Sequence, residues 1–360
     1  MKTVPADRGE AHFDDYKPPY DKGHALAEAN RCLYCEDAPC IKACPTSINI
    51  PEFIRKIATD NGWGSARTIF DSNILGMSCA RVCPVETLCV GDCVYNHMDQ
   101  PPIQIGKLQR YATDMAFAQG WTYYEAGEPT GKSVGIIGGG PASLAAAHRL
   151  RRFGHAVTIY EKRQVLGGLN TFGVAPYKMK ADRAVDEVQW VLGIGGIDVQ
   201  LGVTVGPQGD LSFAELESRH DAVLIGFGLG PDRLIQGSDV IGGVHGAVEY
   251  IEQFKLQPVD VSGVKQAVVL GGGNTAIDCV RELTRLVPDA QITMVYRGTQ
   301  AGMSGYQHEW KAAQTEGVVA KWHTQPIGFV DHDGQVTGVQ CVMVDDAKQR
   351  IAGSEHIVPA

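Results

Sequence analysis

Long apolar runs are missing from this chain. No stretch of its 360 residues approaches the length that spans a bilayer, and its start, MKTVPADRGEAHFDDYKPPYDKG, has charge and proline where an export signal needs an apolar core. The expectation is a soluble, cytoplasmic protein with no membrane partner. Positive charge is also scarce. The 32 Lys and Arg against 41 Asp and Glu leave a net charge of −9, so no basic face is offered to nucleic acid. Low-complexity tracts, short-period repeats, an HExxH motif and any Ser-His-Asp or Cys-His pattern are lacking, which removes solenoids and the common hydrolytic chemistries. The histidines are scattered and read as structural or solvated.

Cysteine, by contrast, is crowded. Eight of the ten cysteines fall in the first hundred residues, and in a reducing compartment that density points to metal or cluster ligands rather than disulfides. One block spaces Cys32, Cys35, Cys40 and Cys44 as Cys-x2-Cys-x4-Cys-x3-Cys-Pro. The second spaces Cys79, Cys83, Cys89 and Cys93 as Cys-x3-Cys-Pro-x4-Cys-x3-Cys. Thiolate is the ligand iron–sulfur clusters require, and in two-cluster proteins the cysteine before proline commonly ligates the other cluster, so each block is expected to lend a ligand across. Two four-thiolate zinc sites are the alternative. Cys279 and Cys341 stand apart and read as small buried hydrophobes.

With 44% hydrophobic and 20% charged residues, the chain can bury two or three domain cores. Up to about Gly120, patterns such as PEFIRKIATDNGWGSARTIF and IGKLQRYATDMAFAQ predict short helices around whatever the cysteines hold. The polar stretch YYEAGEPTGK is a connector. After it, a strand–glycine turn–helix–strand pattern occurs twice, which predicts two parallel-sheet nucleotide-binding domains. The expected division is a helical iron–sulfur domain over 1–122, the N-terminal part of a flavin domain over 123–250 and a nicotinamide domain over 251–360.

In the first unit a β-branched run ends at Gly138. Gly140 admits a pyrophosphate to the start of the helix opened by Pro141, Ala142 and Ser143, and the next strand ends at Glu161 and Lys162, where a ribose hydroxyl acceptor belongs. The second unit has Gly271, Gly273, Asn274, Thr275 and Ala276 at its turn, but its second strand ends in Tyr296 and Arg297 rather than an acid. Arg297 is either a ligand for the 2′-phosphate of NADP or a solvated strand-end residue, so the coenzyme, NADH or NADPH, stays open. Two unlike dinucleotide sites suit a flavoprotein that accepts hydride from a nicotinamide. The order of the two sites resembles that of glutathione-reductase-like enzymes, which implies FAD at the first site and NAD(P)H at the second, with Gly167, Gly168 and Leu169 passing close to the flavin and Phe172 to Lys178, Gly173 among them, lining its ring. A helix at SGYQHEW, with His308 and Glu309, is expected to be exposed.

RCLYCEDAPCIKACPTSINIPEFI, NILGMSCARVCPVETLCVGDCV, IGKLQRYATD, IIGGGPAS, GGLNTFGV, VVLGGGNTAIDC and VYRG together resemble the flavin and iron–sulfur family of the glutamate synthase small subunit and the N-terminal half of dihydropyrimidine dehydrogenase. The loops FGVAPYKM and GFGLG look closest to the bacterial NAD-dependent dihydropyrimidine dehydrogenase small subunit. The resemblance implies a glutathione-reductase-like α/β fold behind a helical double [4Fe-4S] domain. It assigns Cys32, Cys35, Cys40 and Cys93 to one cluster and Cys44, Cys83, Cys89 and Gln109 to the other, leaving Cys79 a bystander. It also implies electron transfer between NAD(P)H and a large catalytic subunit with FMN and iron–sulfur clusters, for reduction of uracil and thymine. The small subunit of glutamate synthase is the alternative, and a truncated, non-catalytic iron–sulfur protein a third. Family members continue past this chain's last hairpin to a Gly-Asp segment that binds FAD; Gly91-Asp92 and Gly209-Asp210 do not occupy that place, so a fragment is expected.

Overall fold

The structure is a computed structural model that describes residues 4, 8–230, 232, 235 and 238–360; the rest of the N-terminal stretch discussed above lies outside the described residues. The described chain forms two compact units.

The first unit comprises residues 15–174 and 178–228, with 1–4. It opens with six helices, α1 (Lys22–Asn30), α2 (Pro39–Ala43), α3 (Ile50–Ala58), α4 (Gly62–Ser72), α5 (Gly76–Val82) and α6 (Ile105–Ala118). Local chemistry sets their starts. Asn49 accepts from the Glu52 amide and Asn61 from the Gly64 amide, each capping orphan donors of a first turn. Phe53, Ile54 and Ile57 put one face of α3 into the core. Next come β1 (Ser133–Ile137), α7 (Pro141–Arg152), β2 (Ala156–Glu161), α8 (Leu169–Phe172), α9 (Ala181–Leu192), β3 (Ile197–Leu201), α10 (Phe213–Arg219) and β4 (Ala222–Ile225). The four strands form a parallel sheet in the order β3-β2-β1-β4, with Gly135 facing Thr158 on one side and Val223 on the other. Strand order therefore reverses at β1, and the crevice beyond β1 and β4 is where such sheets bind ligands. One apolar core runs from the helices, through Phe53, Ile69 and Leu108, into the sheet at Ile136, Val157 and Ile159.

The second unit comprises residues 5–14, 175–177 and 229–360. It contains α11 (Ala247–Leu256), β5 (Gln266–Leu270), α12 (Asn274–Leu286), β6 (Gln291–Val295), α13 (Gln307–Thr315), β7 (Val319–Lys321), β8 (Thr324–His332), β9 (Gln335–Met343) and β10 (His356–Pro359). β5, β6 and β7 are parallel in that order, while β8, β9 and β10 form an antiparallel sheet. Cys279 and Cys341 are buried apolar residues, as expected. The expected exposure of the SGYQHEW helix is corrected: α13 buries Glu309 and Trp310, and Trp310 sits in the apolar core with Ile277 and Met294. Only Trp310 and Ala313 of the buried face are apolar, too few to show a helical periodicity in the sequence. Among the described residues no helix is long and apolar enough to cross a membrane.

Candidate functional site

All ten cysteines are free thiols, and eight gather into two groups that cut across the two sequence blocks. Cys32, Cys35, Cys40 and Cys93 line a cavity of about 30 Å³ together with Pro39, Ile50, Ile54 and Ile105. Burial pushes the Cys40 thiol up to about 12, reinforced by charge on Cys32, Cys93 and Cys35, and raises Cys32 in the same way. The second group joins Cys44 to Cys83, Cys89 and Cys79. A hydrogen bond with Cys79 holds Cys83 protonated, with burial and the thiolates of Cys79, Cys89 and Cys44 adding to it; burial, then charge on Cys44, lifts Cys89 to about 12. Cys79 goes the other way, to about 7, because hydrogen bonds from Cys83, Gln109 and Asn73 outweigh its burial. Gln109 is buried and donates Nε2 to the Gly76 carbonyl at 2.9 Å.

Both candidates for a fourth ligand, Gln109 and Cys79, therefore occupy the second group. Among the described residues no three Cys, His, Asp or Glu converge closely enough to hold one metal ion. Thiols ringing an apolar cavity fit a polynuclear cage, whose cations would drive off the thiol protons that the surroundings otherwise retain.

The glycine turn after β1 is built for close approach. Gly138 has φ +92°, and a Cβ there would lie 2.7 Å from the Gly226 carbonyl oxygen. The Gly139 amide donates to Glu161 Oε2 at 2.7 Å and the Arg163 amide to Oε1 at 2.8 Å. Glu161 thus braces the turn, and each oxygen keeps a second lone pair for a ligand. At Gly140 a Cβ would meet only Gly168 Cα, at 3.9 Å, and no side chain caps α7, which Pro141 opens, followed by exposed Ala142 and buried Ser143. An uncapped helix start above open space is an anion cradle. The Gly167 amide donates to the Gly139 carbonyl at 2.8 Å, which brings Gly168, and Leu169 at the exposed start of α8, to the same turn, and Gly173 closes α8. Lys162 is exposed and Lys178 half-buried. The other residues expected to line a flavin ring part company: Phe172 is buried in the first unit, whereas Tyr177 belongs to the second, where its hydroxyl donates to Asp278 Oδ1 at 2.5 Å.

The turn after β5 repeats the logic. Gly271 has φ +129°, a Cβ on Gly272 would strike the Tyr296 ring at 2.8 Å, and Gly273, at the uncapped start of α12, faces nothing nearer than Ser304 Oγ at 3.6 Å. Asn274 Oδ1 accepts from the Tyr306 amide at 2.9 Å, Thr275 is exposed and Ala276 buried. Arg297 is exposed just past β6.

One residue escaped sequence reasoning. Glu187 on α9 is wholly buried, and its carboxylate accepts from the Met77 amide at 2.9 Å, from the Ser78 amide at 3.1 Å and from the Ser78 hydroxyl. An acid inside VDEVQWV reads as the polar face of an amphipathic helix, and nothing local marks it otherwise.

The family model described as dihydropyrimidine dehydrogenase domain II, 4Fe-4S cluster, matches residues 9–121, and that described as pyridine nucleotide-disulphide oxidoreductase matches residues 132–358. The chain is 34% identical over 372 residues to the glutamate synthase [NADPH] small chain of Escherichia coli (strain K12), covering 97% of this chain and 77% of that one. It is also 34% identical over 307 residues to the NAD-dependent dihydropyrimidine dehydrogenase subunit PreT of Salmonella typhimurium, covering 85% and 73%. Identity thus does not separate the two, and the finer resemblance expected from the loops is not resolved. In fold, the chain is similar to Mycobacterium tuberculosis FprA in complex with NADPH, with a TM-score of 0.52, 20% identity and coverage of 65% and 69%.

Proposed function

Because this chain belongs to the pyridine nucleotide-disulphide oxidoreductase family and carries a 4Fe-4S domain ahead of it, we propose that it binds FAD at the first glycine turn, NAD(P)H at the second and two [4Fe-4S] clusters at the two thiol groups. In this reading Cys32, Cys35, Cys40 and Cys93 hold one cluster, and Cys44, Cys83, Cys89 and Gln109 the other. The observation that carries it is the cavity walled by Cys93 of one block and three cysteines of the other, within the same compact unit as the Gly138–Gly140 turn. The bound groups supply hydride acceptance from the nicotinamide and one-electron transfer onward. The chain's own residues bind and orient. The open starts of α7 and α12 receive the pyrophosphates, Glu161 offers its spare lone pairs to a ribose hydroxyl, and Arg297 would meet the 2′-phosphate if the coenzyme is NADPH.

Domain limits of 1–122, 123–250 and 251–360 assign one cofactor type to each segment. The electrons go to a larger subunit, as the relatives' names, a small chain and a dehydrogenase subunit, suggest, and the favoured chemistry there is reduction of uracil and thymine. Coverage supports a second reading, since the glutamate synthase small chain matches 97% of the chain and PreT 85%; electrons would then serve 2-oxoglutarate and glutamine nitrogen. The test is iron, sulfide and flavin analysis of anaerobically purified protein, then reduction with NADH and with NADPH in turn. About eight irons and one FAD per chain are expected. Colourless protein with zinc as its metal would overturn the proposal, and assays of the purified complex with uracil and with 2-oxoglutarate plus glutamine distinguish the two partners.

A further inference from the structure

We propose that Glu187 is a positioning residue for the iron–sulfur site built on α5, acting through the first turn of that helix on Gln109; this rests on the two-cluster reading above. A buried carboxylate persists only where donors satisfy it. Those of Glu187 are the Met77 and Ser78 amides and the Ser78 hydroxyl, all in the first turn of α5. That helix has seven residues, carries Cys79 and stops at Cys83, and its own N-cap residue, Leu75, supplies no side-chain bond. So short a helix is marginal alone. Its cap comes instead from α9, more than a hundred positions away in sequence.

The same turn has a second attachment. The Gly76 carbonyl, one residue before Met77, accepts Nε2 of Gln109. An amide tied down by its nitrogen presents its oxygen on the other side, and oxygen is the atom an iron would take. Glu187 therefore fixes the turn, and the turn fixes which way the Gln109 amide faces. Burial lifts the Glu187 carboxyl to about 7, against the hydrogen bonds from Ser78 and Met77 and the charge of Arg81, so it carries its negative charge above neutral pH; Arg81 itself is bound to Asp114 at 2.6 Å.

The test uses the full chain, purified anaerobically, in E187A, E187Q and S78A forms, with iron and flavin content, electron paramagnetic resonance and redox titration. E187A should lose about half of the iron and one of two resonance signals, with flavin retained; S78A, which keeps both backbone donors, should keep its iron. E187Q, of the same shape without the charge, should keep both clusters and, titrated at about pH 9 where Glu187 is ionised, raise the midpoint potential of one, leaving the other where it was. Full iron and unchanged signals in E187A would overturn the proposal, as would simultaneous loss of flavin and both clusters in E187Q. Should E187A not fold, the E187Q titration decides: a potential unmoved for both clusters sinks the idea. A wild-type protein without iron defeats the parent reading instead, so the two failures are distinguishable.

Discussion

Gly138 and Gly140 stand two positions apart and are needed for different reasons. Gly138 serves the fold, since its left-handed φ and the nearby Gly226 carbonyl leave no room for a side chain; Gly138→Ala should cost about 1–3 kcal/mol, read as a lower melting temperature. Gly140 has an extended backbone and open space where a Cβ would go. Gly140→Ala should change stability by less than about 1 kcal/mol yet reduce flavin content; flavin retained in full would show that the cradle holds something else. A different single residue contributes to the pH response. His148 is buried, and burial, with Arg152 and Arg149 beside it, lowers its pKa from 6.5 to about 4. The unfolded chain therefore takes a proton that the native state refuses, and stability falls as pH drops through 6.5 toward 4. Wild type should lose more melting temperature than His148→Gln between about pH 7.5 and 5; equal losses would refute a neutral His148.

Elements carry the cluster logic, because each thiol group draws on both cysteine blocks. Cys32→Ala and Cys93→Ala, far apart in sequence, should abolish the same resonance signal, and Cys44→Ala and Cys83→Ala the other, while Cys79→Ala should spare both. Loss of a signal from the last variant would give the fourth position to Cys79 instead of Gln109. The crossing was legible only in part from the Cys-Pro pairs: Cys44, before Pro45, joins the second group, whereas Cys83, before Pro84, stays with its own block and Cys93 crosses in its place. The two strand–turn–helix units were legible because a glycine turn between a β-branched run and an amphipathic helix is a local pattern. What stayed hidden depends on tertiary partners. Glu187 looks like any helix-surface acid until Met77 and Ser78 meet it, and Tyr177 reads as part of a flavin loop until Asp278 accepts the hydrogen bond from its hydroxyl.

For the whole molecule, the oxidoreductase family and its α/β fold were readable because motifs for both nucleotide turns and both cysteine blocks span nearly the full chain. The physical grouping was less so. Composition changes after the cysteine-rich segment, yet the apolar core continues from those helices into the first sheet, because contacts between segments leave no mark on composition. Coenzyme choice is settled at this scale, by turnover. If Arg297 meets a 2′-phosphate, Arg297→Ala should lower kcat/KM for NADPH roughly 10–100-fold and leave that for NADH unchanged; equal effects on both would make it a solvated strand-end residue. The interleaving of thiols also bears on biosynthesis. On the two-cluster reading proposed above, neither cage has all its walls while the ribosome has yet to release Cys93, so a nascent chain paused after Cys44 exposes four sulfurs with nothing to enclose. On that reading iron and sulfide delivery waits for the whole helical segment, and oxygen reaching the chain before then finds its thiols undefended.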